Sequence, residues 1–163
     1  MASKKLKKKT VVLGSLAKRV AAAEDRESIR SLVHDMNWMA DQGRIDELLN
    51  CFTADLVYDV GTFGTYTGKP ALRGFYEEVM RSFPMRIHSV TNQVIELRGT
   101  EAKSRCYWKA ELDMLGRAVT SSGHYLDELI KLRGQWKVAR RTATITYMCP
   151  LDEGWCKTRM MTV

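Results

Sequence analysis

Residues 102–114 read Ala102-Lys103-Ser104-Arg105-Cys106-Tyr107-Trp108-Lys109-Ala110-Glu111-Leu112-Asp113-Met114, an alternation of small or apolar side chains with polar ones. Successive side chains on a strand point to opposite faces, so this pattern predicts a strand with one apolar face and one wet face. Its surroundings continue in the same way. Pro84 and Pro150 bracket 65 residues rich in Val, Ile, Thr, Tyr and Trp, and Arg98-Gly99-Thr100, Leu115-Gly116-Arg117 and Arg133-Gly134-Gln135 divide them at hairpin-like intervals. Four long strands in a strongly curved antiparallel meander are expected.

The first half has a different period. Between Glu24 and Gln42, the residues Ile29, Leu32, Val33, Met36 and Ala40 fall at helical spacing, and Gly43 is a natural stop. Ile45, Leu48, Leu49 and Phe52 mark a second short helix, and Leu56 to Val60 reads as a strand. Gly61, Gly64 and Gly68 punctuate turns before a third helix over 69–82, which carries Leu72, Phe75, Tyr76 and Val79 on its inner side. Helices gathered ahead of strands give an α+β layer, with three helices covering one face of a curved antiparallel sheet.

Composition narrows the partners. The chain has 163 residues, 45% hydrophobic and 28% charged, which fits one domain with a single core. The formal net charge of +7 suggests a polyanion binder, but Lys4, Lys5, Lys7, Lys8, Lys9, Lys18 and Arg19 supply all of it with no acid among residues 1–19. The body is neutral, so neither a nucleic-acid partner nor membrane insertion is expected, and residues 1–20 read as a basic flexible tail. The apolar run from Thr10 to Ala17 is stopped by Lys18-Arg19, too short for an export signal. Cys51, Cys106, Cys149 and Cys156 lack zinc or redox spacing. Idle thiols in a reducing cytoplasm are the expectation.

No P-loop, GxGxxG, GxSxG or HExxH occurs, and no metal-spaced ligand set, so no metal site is expected. Acid/base residues remain. Asp41 lies in the last turn of the first helix, where the macrodipole disfavours a carboxylate, so it is either a loop organiser or held there by another demand. His88 shares its strand face with Val90, Asn92 and Val94; a satisfied core histidine is the simpler reading until a carboxylate partner is argued. Arg141 lies among Ala139, Ala143, Ile145 and Tyr147, an apolar setting that demands an anionic partner or ligand. His34, two helical turns before Asp41, and His124 are competing candidates. Trp38 projects from the polar side of the first helix and suggests an interface.

These residues occur in a recognisable order. Ile29-Arg30-Ser31-Leu32 leading to Asp41, Gly64-Thr65-Tyr66-Thr67-Gly68, Ile87-His88 with Thr91-Asn92, Gly123-His124-Tyr125-Leu126-Asp127-Glu128, and Gly134-Gln135-Trp136 through Arg141 to Pro150-Leu151 cover most of the chain. The whole resembles the SnoaL-like branch of the nuclear transport factor 2-like (cystatin-like α+β) superfamily. That branch includes scytalone dehydratase, bile acid 7-alpha-dehydratase, polyketide cyclases and, most similar, gamma-hexachlorocyclohexane dehydrochlorinase.

The resemblance implies a cone-shaped α+β barrel over residues 21–151 enclosing a deep apolar pocket, a homotrimer, and no cofactor. It places Asp41 and His88 on the family's catalytic pair and Arg141 on its strand-borne arginine. Met36 stands where family members offer a tyrosine or lysine, and Ala110 where dehydratases carry an acid or histidine, with Glu111 one register away. Met36, Tyr58, Tyr66, Asn92, Trp108, Ala110 and Tyr147 are the expected substrate-binding positions. The expected activity is a lyase acting on a small hydrophobic ring, with an isomerase or cyclase, or a non-catalytic binding module, as alternatives. Residues 152–163, with Trp155, Met160 and Met161, are expected to cap the pocket or dock on a neighbouring subunit.

Overall fold

The computed structural model describes residues 2–155, and side chains from Gly14 onward. Cys156, Met160 and Met161, and most of the expected C-terminal cap, lie outside the described residues. The elements run α1 (Ala2–Asp41), α2 (Ile45–Asn50), β1 (Phe52–Asp59), β2 (Thr65–Thr67), α3 (Gly68–Ser82), β3 (Arg86–Arg98), β4 (Glu101–Met114), β5 (Arg117–Leu132) and β6 (Gln135–Pro150). Ala, Lys, Leu and Arg are strong helix formers, and no proline interrupts residues 2–41, so α1 begins at Ala2 rather than near Glu24. The segment expected as a flexible tail is therefore helical.

The four long strands form the expected meander, with β3–β4, β4–β5 and β5–β6 all antiparallel. Two features extend it. β1 joins the far side of β6 in parallel, and the short β2 pairs with β1, giving the order β2-β1-β6-β5-β4-β3. The α+β class holds, but the sheet is open, with β2 and β3 as edges, and the helices rather than strand closure complete the enclosure.

α1 lays Ile29, Val33, Met36 and Ala40 on the core, as its spacing predicts. Its middle is fastened by Asp25, whose Oδ1 accepts from Lys131 Nζ at 2.6 Å and Trp136 Nε1 at 2.9 Å. Those hydrogen bonds hold the Asp25 carboxyl below its ordinary range. α3 turns Leu72 and Tyr76 inward over β1.

Two of the sheet's bulges re-aim side chains near the cavity. On β3, Thr91 faces Tyr107 and Val94 faces Arg105, so one extra residue sits at Asn92-Gln93, with Asn92 at a φ of 55°. On β6, Ser122 faces Tyr147 but Gly123 faces Ile145, which leaves Thr146 unpaired. There the backbones nearly touch: a Cβ on Gly123 would lie 1.8 Å from the Thr144 carbonyl oxygen and 2.9 Å from Trp108 Cζ2. Gly123→Ala must displace β6 or Trp108. It should cost about 3 kcal/mol, and a lowering of Tm by about 6–12 °C on thermal unfolding checks it.

Candidate active site

The helix stripe that packs α1 on the sheet also brings its last turn against β3. Asp41 follows Ala40, the last stripe residue, and one step around the helix carries its side chain to the inward row Arg86, His88, Val90. Asp41 Oδ1 lies 2.5 Å from His88 Nδ1, and Asp41 Oδ2 accepts from the His88 backbone N–H at 2.8 Å. Two bonds to one residue set both the position and the rotation of the carboxylate. A carboxylate acceptor selects the tautomer with hydrogen on Nδ1, leaving the lone pair on Nε2. His34 makes no such pair with Asp41. It lines an open groove on the outer side, together with Asp35, Trp38, Asp41, His88 and Val90.

On its inner side His88 borders a cavity of about 140 Å³. Its walls are Met36, Asn37 and Ala40 from α1, Tyr58 from β1, Phe75, Tyr76 and Val79 from α3, Trp108, Ala110 and Leu112 from β4, and Tyr125, Ala143, Ile145 and Met148 from β5 and β6. An apolar cavity of roughly 150 Å³ accepts benzene, so the space suits one six-membered ring. Trp108 stacks on Tyr125 at a centroid distance of 5.7 Å and lies 6.3 Å from the His88 ring. Burial raises the Tyr58, Tyr76 and Tyr125 phenols, with Arg141 acting against it, so all three stay protonated donors.

Arg141 also lines the cavity at 2% exposure. Its anionic partner is Asp127: Nε donates to Oδ1 at 2.7 Å and Nη2 to Oδ2 at 2.8 Å. The guanidinium sits 4.3 Å from the centre of the Tyr125 ring. Burial works against its charge, but Asp127 outweighs it and keeps the group firmly protonated.

Of the seven expected substrate-binding residues, Met36, Tyr58, Trp108 and Ala110 line the cavity and three do not. Asn92 is turned outward by the β3 bulge into a surface groove with Tyr107 and His124. Tyr147 is displaced by the β6 bulge, stacks on Trp155 at 6.5 Å, and yields its place to Met148. Tyr66 stands one layer back, its hydroxyl donating to the Phe63 carbonyl and its ring 4.6 Å from that of Phe75.

Two charged residues escaped the sequence reading. Asp127 alternates with Gly123, Tyr125 and Leu129 on the inward face of β5, so period-two reading could have paired it with Arg141. Arg86 sits two residues before His88 on the same face. Its Nε donates to the Ala40 carbonyl at 2.9 Å and its Nη1 to the Phe83 carbonyl at 3.1 Å.

Among the described residues, no group of three or more His, Cys, Asp or Glu could hold a metal ion, and no helix is long and apolar enough to cross a membrane. The described cysteines, Cys51, Cys106 and Cys149, are free and buried. Burial pushes the Cys106 thiol up to about 11.

The SnoaL-like domain model matches residues 21–142. An uncharacterized protein of Mycobacterium tuberculosis, Rv2910c, is 29% identical over 129 residues, covering 77% of this chain and 88% of its own. Among solved structures, the "Putative Scytalone Dehydratase" of Novosphingobium aromaticivorans superposes with a TM-score of 0.74 at 24% identity, over 78% of this chain and 88% of that one. Hexachlorocyclohexane dehydrochlorinase LinA-type3 of Novosphingobium barchaimii gives 0.75 at 19% identity, over 80% and 92%. These two likenesses establish a shared fold.

Removing the carboxylate of Asp127 would strand a buried guanidinium. Asp127→Ala should destabilise the protein by about 3–5 kcal/mol, read as a lowered denaturation midpoint in urea.

Proposed function

The chain belongs to the SnoaL-like domain family, and from that membership together with the site we propose a cofactor-independent lyase acting on a small hydrophobic ring. The family and its neighbours support a lyase- or isomerase-type or ligand-binding fold. One observation carries the finer reading: a histidine held by a carboxylate at 2.5 Å in the wall of a ring-sized aromatic cavity.

In this reading Nε2 of His88 removes a carbon-bound proton, and Asp41 stabilises the imidazolium that forms. The electrons of the broken C–H bond form the new double bond as hydroxide or halide departs. Arg141 and the phenols of Tyr58, Tyr76 and Tyr125 supply donors for the departing anion or an enolate oxygen. They act with added force because the surrounding walls are apolar. Arg141 serves as a fixed donor rather than a free cation, since Asp127 already balances its charge. Met36 and Ala110 leave the family's additional polar positions apolar, which favours substrates whose leaving group departs without a strong acid.

The test is incubation with hydroxylated and halogenated single-ring compounds, followed by mass spectrometry for loss of water or hydrogen halide. His88→Ala should lower turnover by ~10²- to 10⁴-fold; equal turnover would remove His88 from the reaction. Product of unchanged mass but altered structure selects isomerisation or cyclisation, and saturable binding without turnover selects a binding module.

A homo-oligomer, with a trimer favoured, also belongs to this reading. Ile87, Val94, Tyr107 and Leu126 expose large apolar side chains from β3, β4 and β5. Light scattering should give a multiple of the 18.6 kDa chain mass; a monomeric mass in dilute solution counts against it.

A further inference from the structure

Arg141 has its carboxylate, but the second guanidinium on the cavity wall has no ion-pair partner among the described residues. Arg86 is 8% exposed, and its hydrogen bonds go to the carbonyls of Ala40 and Phe83. Ala40 immediately precedes Asp41, so Arg86 grips the end of α1 at the residue next to the carboxylate and sits on β3 two positions from the histidine.

Asp41 needs such a neighbour. It occupies the last turn of α1, at the negative end of the helix dipole, and its side chain is only 8% exposed. Arg86 bonds a last-turn carbonyl, and although burial works against its own charge, the nearby Asp41 carboxylate favours that charge.

The other charged or titratable groups around the pair do not substitute for it. His34 and Asp35 of α1 face it from the open outer groove. Opposite His88 on β4 stands Ala110, with Lys109 and Glu111 paired to each other on the exposed face. Arg44, in the turn after α1, is engaged by Glu47. From α3 the approaching groups are apolar, Val79 and the following Phe83.

We propose that Arg86 is a positioning residue that clamps the end of α1 to β3 and balances the charge of Asp41, keeping that carboxylate aimed at His88 Nδ1. The proposal rests on reading Asp41 and His88 as the acid/base pair, but not on which reaction the pair performs.

Proton NMR tests it without substrate. A hydrogen shared between Nδ1 and a carboxylate gives a far-downfield resonance, identified here by its absence from Asp41→Asn and His88→Gln. In Arg86→Gln the resonance should be lost or broadened, because the end of α1 is no longer clamped to β3. Arg86→Lys, which keeps the charge and one donor to the helix end, should restore it. An unchanged resonance in folded Arg86→Gln overturns the proposal. If Arg86→Gln does not fold, Arg86→Lys decides: its resonance must persist, and its loss overturns the proposal. Failure of the lyase reading appears separately, as no mass change with any ring compound.

Discussion

The ion pair between Arg141 and Asp127 is the constraint around which the cavity is arranged. The two residues face each other directly across the β5–β6 ladder, both pointing inward and both buried. A one-residue slip of either strand would turn its charge outward and leave the other unpaired in the core, so the pair ties strand register to electrostatics. An apolar pair of similar volume could fill the same space at no loss of stability. What the charged pair adds is a rigid, protonated guanidinium on a wall otherwise built from aromatic and aliphatic side chains, with Tyr125 stacked beneath it.

The bulges complete that arrangement. Regular strands would carry the alternation of the inner residues straight through to the cavity mouth. Instead, β6 gains a residue at Thr146, and β5 meets it with Gly123, where no side chain fits. Trp108 lies over the bare backbone and reaches Tyr125, so a missing Cβ on one strand makes room for an indole from the next. β3 gains a residue after the His88 segment, leaving Arg86, His88 and Val90 inward while the strand beyond follows the opposite alternation.

Much of this was legible in the sequence, because it rests on period and punctuation. Ala102 to Met114 announces its wet and dry faces, the Gly turns space the meander, and the α1 stripe from Ile29 to Ala40 points to the core residues found there. Asp41 stood out by contradicting its own helix end. What stayed hidden depends on partners distant in sequence or on single-residue irregularities. Nothing local tells that β1 will add in parallel to β6, or that Asn92 and Thr146 are extra residues. Tyr147 and Asn92 fall away from the cavity wall for that reason, since a bulge reverses the alternation beyond it. Arg86 is a different omission: its binding partners are backbone carbonyls, which carry no sequence signal. The early start of α1 is a matter of propensity, visible in its Lys and Ala content but outweighed by the reading of a charged end as a tail.

His88 forms part of two surfaces, the ring-sized cavity on one side and the open groove beside His34 and Trp38 on the other. The imidazole therefore stands between a ring-sized apolar cavity and a groove open to solvent. A side chain so placed can meet water on one face while its other face borders an organic ring. Access for water and access for a ring then need not share one route, and the fit of the walls around a ring leaves the solvent side of the histidine unchanged.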